Sequence, residues 1–442
     1  MKIDAQLDYQ KILAGKDQPV NLVVKFTAAR REDPRKTDMA FCVVLDRSAS
    51  MDGVPIEKAK EAAQMVVRNL RANDYFGMVA FDSHAQTVIP LQRITRHQQV
   101  HDRIESISAN AGTNLMGGWM LGRDELKKSP AGIPRRTLLL SDGETNIGIL
   151  EPDQIKQIVT GALELDGIRT SCLGLGPSYN EDLMSMISAA TGGNFHNANS
   201  AESLAAIFKE ELDGLQQISA QNVRVRIQKL DFCDEFQPLT GYPFSVLPDR
   251  RVEYSIGDLV SEEEKILVLQ LDVLALPLLP DNTPVASLEG ETLLKLEVLY
   301  DEFGEKGIAS IQQEQMVRVL ATQKADEVKV NEAVIPWVAI QKAGKALEKA
   351  TQEVDQNNAA KAKQTLRIVM EELAAYRQEG KVTQAIGMLQ QFLEKLKGRE
   401  WNRKEVKKMT ASLKMTGRIE LPPSLKLPLK KKTTSTGGPN LT

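Results

Sequence analysis

Hydrophobic positions along this chain follow two different rhythms, and the change from one to the other divides it. From about Thr37 to Asp213, short strand-like runs, some of them nearly continuous in apolar residues, recur at Met39–Leu45, Tyr75–Phe81, Gln86–Ile89, Thr137–Leu140 and Arg169–Leu175. Between them apolar residues fall three and four apart, in Glu57–Leu70, Leu115–Lys127, Pro152–Leu165 and Glu181–Ala190, with Ala201–Leu212 as a last helix. Continuous runs mark strands buried on both faces, and the amphipathic stretches supply the helices that cover them. The pattern predicts an α/β layer arrangement around a mostly parallel sheet. Only the short link Asp82-Ser83-His84-Ala85 separates the second and third runs, so a hairpin with one antiparallel edge strand is expected there. One helix is predicted to open near Pro55, because proline suits a first turn.

Outside that stretch the period shortens to two. Val20, Leu22, Val24 and Phe26 alternate with other residues, and Val223, Val225 and Ile227 alternate with Arg224, Arg226 and Gln228. Further strand-like runs are Val252–Ile256, Ile266–Val273, Leu293–Leu299 and Gln315–Leu320. Alternation punctuated by Gly, Pro and Asp indicates an antiparallel β-sandwich. The amino-terminal strands are too few to fold alone, so they are expected to pair with strands beyond residue 214. The α/β domain then becomes an insertion into the sandwich. Beyond Gln323 the chain turns rich in Ala, Gln, Glu and Lys, and Ala333–Val354, Ala359–Gln378 and Val382–Leu396 read as three amphipathic helices of a small antiparallel bundle. After Glu400, Lys430-Lys431-Lys432 and other basic residues accumulate beside Pro422-Pro423, and a mostly disordered tail is expected. The resulting organisation is 1–36 sandwich strands, 37–213 α/β domain, 214–322 the rest of the sandwich, 323–400 helical bundle and 401–442 basic tail.

Composition narrows the function classes. The chain has 442 residues, 42% hydrophobic and 26% charged, as in ordinary globular proteins of several domains. A net charge of −3 gives no global attraction to nucleic acid, and the basic tail lacks stacking aromatics beyond Trp401, so only weak contacts are expected there. Cys42, Cys172 and Cys233 form no disulfide framework, and the first two sit in apolar runs, as buried reduced thiols do. The amino terminus has no apolar core of signal-peptide length. The strongest membrane candidate, Ile266–Leu279, is too short and contains Gln270 and Asp272. A cytoplasmic protein without a membrane span is expected.

The candidate chemistry lies where buried runs end. Asp46-Arg47-Ser48-Ala49-Ser50 closes the first run, Ser141-Asp142-Gly143 follows the fourth, and Gly112-Thr113-Asn114 lies on a loop between them. Ligands of open α/β sheets bind at the carboxyl ends of strands, where strand order reverses. Asp46 and Asp142 bring two negative charges together, an arrangement that a cation relieves. Ser48, Ser50 and Thr113 add neutral oxygens. An all-oxygen set without His or Cys suits a hard divalent ion, Mg²⁺ first, with Mn²⁺ or Ca²⁺ as alternatives. Five side chains leave a position for an outside oxygen, which an Asp or Glu of a partner protein fills naturally.

The order Asp-x-Ser-x-Ser … Thr … Asp, at Asp46, Ser48, Ser50, Thr113 and Asp142, resembles the metal-ion-dependent adhesion site of von Willebrand factor A domains. The family usually has Gly at the position of Ala49, which is not a ligand position. The resemblance implies a Rossmann-like domain that docks partners through a bound cation. The insertion in a sandwich resembles bacterial and cyanobacterial proteins named chloride-channel-like or inter-alpha-inhibitor-heavy-chain-like. It also implies an alternative, an adaptor subunit for an AAA+ ATPase of the chelatase type. Enzymatic readings have little support. There is no Gly-x-x-x-x-Gly-Lys-Ser/Thr loop. His97 and His101 have zinc-pair spacing without a third ligand. A Ser48–His84–Asp142 triad lacks a nucleophile elbow. A non-enzymatic, metal-dependent interaction module is the expected function.

Overall fold

The computed structural model describes residues 1–30, 38–176, 178–198, 200–278, 290–304, 307–374 and 380–398. The expected basic tail and the end of the expected helix Ala359–Gln378 lie outside the described residues. Strands β1 (Lys2–Leu7), β2 (Lys11–Leu13) and β3 (Gln18–Thr27) come first. The α/β domain begins with β4 (Ala40–Asp46), α1 (Val54–Asn69), β5 (Tyr75–Phe81), β6 (Ala85–Arg93), α2 (His97–Glu105) and α3 (Leu115–Leu126). It continues with β7 (Arg135–Ser141), α4 (Pro152–Asp166), β8 (Ile168–Leu175), α5 (Glu181–Thr191), β9 (Phe195–Ala198) and α6 (Leu204–Gln216).

These six strands form one sheet in the order β6-β5-β4-β7-β8-β9, parallel throughout except for the β5–β6 hairpin. Every residue of β4 is buried, because it is central and covered on both faces. Phe41, Val43 and Leu45 point to the side of α1, α2 and α6. Ala40, Cys42 and Val44 point to the side of α3, α4 and α5. Helix α3 lies unusually close to the sheet: a Cβ on Gly118 would stand 2.5 Å from the Phe81 ring. The indole of Trp119 on the same helix is fully buried and donates to the Thr170 hydroxyl at 2.9 Å. The last helix starts later than the sequence predicts, at Leu204, since Ala201–Ser203 form a 3-10 turn, and it runs on to Gln216.

Beyond the domain come β10 (Ile218–Lys229), β11 (Cys233–Pro238), β12 (Phe244–Val246), β13 (Val252–Val260), β14 (Glu264–Val273), β15 (Glu291–Gly304) and β16 (Gly307–Thr322). They join the amino-terminal strands in two sheets, β1-β3-β14-β11 and β12-β13-β10-β15-β16-β2, which enclose a common apolar core. The α/β domain is therefore inserted between β3 and β10 of a sandwich. One pair departs from the expected antiparallel arrangement: β2 runs parallel to β16 at an edge. Helices α7 (Ile335–Asp355), α8 (Ala359–Ala374) and α9 (Gly380–Gly398) share an apolar core of their own. Val338 of α7 packs on Val23 and Val268, on the outer face of the first sheet.

A buried ion network joins the domain to the sandwich. Arg136 and Arg169 stand at the amino ends of β7 and β8, and Arg169 meets Asp258 of β13 at 3.0 Å. Arg136 reaches Glu211 of α6 at 3.3 Å and Asp258 at 3.9 Å. Glu211 also accepts from Ser171 at 2.6 Å and Asn194 at 2.7 Å, and it contacts His196 Nε2 at 2.7 Å. Burial opposes the ionisation of Glu211, but His196 and Arg136 outweigh it and hold the carboxyl down at about 2.

Candidate metal centre

The sheet reverses its strand order between β4 and β7, so their carboxyl ends open onto the crevice where ligands of this architecture bind. Asp46 is the last residue of β4 and Ser141 the last of β7. The Asp46 carboxylate is completely buried. One oxygen accepts from the Ser48 amide at 2.8 Å, and the other from the Ser141 hydroxyl at 2.5 Å. The Ser50 hydroxyl donates to Asp142 at 2.7 Å and lies 3.1 Å from the Ser48 hydroxyl. Asp46, Ser48, Ser50 and Asp142 thus form one connected cluster of oxygens.

Thr113 is brought to the same end of the sheet by a separate set of contacts. It is buried, and its carbonyl accepts from the Asn146 amide at 3.1 Å, the Ile147 amide at 3.3 Å and the Thr145 hydroxyl at 3.1 Å. The Asn146 side chain accepts in return from the Thr113 amide at 3.0 Å. The loop after Asp142 is thereby tied to the loop before α3. Gly112 makes this approach possible: its φ is +85°, and a Cβ there would come 2.2 Å from the Ser83 hydroxyl. The hydroxyl of Thr113 takes no part in the hydrogen bonds of the four-residue cluster.

Electrostatics favour a cation at this point. Burial pushes the Asp46 carboxyl up to about 6 against the lowering effect of Ser141 and Ser48, and Asp142 raises it further. Burial raises Asp142 as well, opposed by Ser50 and Ser48. Among the described residues no Lys or Arg pairs with either carboxylate. The nearest guanidinium in sequence, Arg47, is engaged with Asp82 at 2.7 Å. Asp82 also accepts from Asn110 at 3.1 Å and the His84 amide at 2.7 Å, so it fastens the surrounding loops. Two buried, unpaired carboxylates bridged by serine hydroxyls fit a hard divalent ion in charge and in donor type.

Ser141, Asn146 and the Arg47–Asp82–Asn110 set are supporting residues that spacing alone did not assign. Their partners lie up to 95 positions away in sequence. The rival sites do not assemble. His84 is exposed and has no hydrogen bond to Ser48 or Asp142. Among the described residues, no group of three or more His, Cys, Asp or Glu side chains converges as a metal cage would. All three cysteines are buried free thiols. No helix among the described residues is long and apolar enough to cross a membrane.

Comparison with known proteins agrees with this architecture. Residues 41–210 match the family model of the von Willebrand factor type A domain. An uncharacterized protein of Synechocystis is 26% identical over 286 residues, covering 61% of this chain and 66% of the relative. Bovine inter-alpha-trypsin inhibitor heavy chain H1 is 26% identical over 155 residues, covering 33% of this chain and 16% of the relative. The chain therefore spans less than two thirds of the length of either relative. Among solved structures, a von Willebrand factor type A protein from Catenulispora acidiphila superposes with a TM-score of 0.71 at 16% identity, covering 94% of this chain and 97% of that one. At that identity the likeness is one of fold, and it extends over the sandwich and helices as well as the domain. Domains of this family commonly serve as protein-interaction modules. Residues 41–210 of this chain are a von Willebrand factor type A domain.

Proposed function

We propose that this domain is a divalent-cation-dependent docking module without catalytic activity, and that Asp46, Ser48, Ser50, Thr113 and Asp142 hold the ion. The observation that carries the reading is the pair of buried carboxylates, Asp46 and Asp142, bridged by serine hydroxyls and left without a basic partner. A bound Mg²⁺, Mn²⁺ or Ca²⁺ would supply a positive centre able to accept one further oxygen from outside. The hydroxyls of Ser48, Ser50 and Thr113 are neutral donors, so the remaining coordination position is open to a partner Asp or Glu oxygen that exchanges for water. Ser141 and the Ser48 amide fix the Asp46 carboxylate, and Asn146 fixes the loop that carries Thr113. These contacts organise the pocket before the partner arrives, which lowers the ordering cost of docking. An adaptor role for an AAA+ ATPase uses the same site and differs only in who supplies the carboxylate.

Titration calorimetry of Mg²⁺ into chelator-stripped protein tests the reading. One ion should bind per chain in the wild type and none in Asp46→Ala or Asp142→Ala, with far-UV circular dichroism unchanged. Equal binding in wild type and both variants would refute it.

A further inference from the structure

A cleft of about 710 Å³ lies at the opposite end of the domain, between the start of β8 and the outer face of β10 and β13. That volume is typical of small-molecule sites, which form preferentially at domain interfaces. Its charges are unevenly satisfied. The acids on its wall are engaged within the protein: Asp166 by Arg123 at 2.6 Å, Asp301 by Asn222 at 3.0 Å, and Glu253 by Arg226 at 2.7 Å. Arg135 instead meets only neutral oxygens, the Ser129 hydroxyl at 2.8 Å and the carbonyls of Asp166, Ser129 and Pro130. Arg224 touches Glu253 at no less than 3.6 Å and keeps 45% of its side chain exposed. Against these two guanidinium groups stand two lining acids without an ion pair among the described residues, Glu164 and Asp301, the latter also accepting from the Ser310 hydroxyl at 2.7 Å.

A second feature points into the same space. Gln221 lines the cleft and is only 5% exposed. The backbone there is distorted in a way that re-aims side chains. The pairing of β10 shifts register against both neighbours between Ala220 and Arg224, and Asn222 adopts a φ of +55°. Leu165 is 81% exposed and Phe244 57% exposed, solvated apolar side chains that line the same cleft as Arg224 and Arg135.

We infer that this cleft is a second binding site, for an amphiphilic anion: its carboxylate or phosphate meets Arg224, Arg135 and the Gln221 amide, and its apolar body covers Phe244 and Leu165. The site is independent of the metal centre. Calorimetric titration of the full chain with octanoate, octyl phosphate and octanol, below their aggregation limits, tests it. One anion should bind per chain, about tenfold or more tighter than octanol, and the better of the two anions identifies the head group. Arg224→Ala and Gln221→Leu should each weaken it about tenfold, while Asp46→Ala leaves it unchanged. Arg224 is exposed, so its variant should melt like the wild type. Equal affinity for octanol, no binding of either anion at millimolar concentration, or undiminished binding in both cleft variants would overturn the inference.

Discussion

Replacing Glu211 by glutamine removes one charge, at nearly constant shape, from the ion network between domain and sandwich. The carboxylate is 2% exposed and faces Arg136, His196, Ser171 and Asn194. Its acid form is disfavoured in the folded chain, where the group titrates at about 2 against an ordinary 4.5. At about 1.4 kcal/mol for each pH unit of separation, this contributes about 3 kcal/mol at pH 7. Measured losses on breaking a buried pair are about 3–5 kcal/mol, which agrees in size. Because the folded value is depressed, the stabilisation is complete above the unfolded value and fades as pH falls towards the folded one. The gap between wild type and Glu211→Gln should shrink to roughly 1 kcal/mol near pH 3. Urea unfolding in a background of Trp337→Phe and Trp401→Phe lets Trp119, buried in the domain, report the transition. A variant as stable as the wild type at pH 7, or a gap of the same size at pH 7 and pH 3, would refute the reasoning.

Two further outcomes follow from contacts already described. Ser141→Ala removes the 2.5 Å hydrogen bond that orients Asp46 and should lower Mg²⁺ affinity about 10–100-fold without unfolding the domain, read by the same metal titration. Gly118→Ala forces a Cβ to 2.5 Å from the Phe81 ring and should cost about 1–3 kcal/mol in a thermal or urea melt; an unchanged melt would mean that α3 does not seat as tightly as described.

How much of this was legible in the sequence depended on how each residue is buried. Strands β4 and β5 announce themselves by nearly unbroken apolar runs such as Phe41-Cys42-Val43-Val44-Leu45, and β7 by Leu138-Leu139-Leu140, whereas β8 interleaves its apolar residues with Arg169, Thr170 and Ser171. Edge strands do not. β9 reads Phe-His-Asn-Ala and β12 only Phe-Ser-Val, both too short to set up a hydrophobic pattern. Helix α2 buries only Val100 and Ile104 and reads as a polar stretch. The parallel docking of β2 on β16 is a contact across about 300 residues that no local pattern encodes. At the candidate site, Asp46, Ser48, Ser50 and Asp142 could be singled out because short spacing and strand ends constrain them. The residues that hold them in place could not. Arg136 and Arg169 look like polar punctuation at the start of apolar runs, and only folding brings them to Glu211 and Asp258.

Metal-bridged docking is tested most directly by affinity capture from native lysate on immobilised full-length chain, compared across three conditions: wild type in Mg²⁺, wild type in EDTA, and Asp46→Ala in Mg²⁺. A partner retained only in the first condition, and released by mutating a single Asp or Glu on its own surface, is the predicted result. A partner retained equally in all three would contradict it and move recognition away from the metal centre.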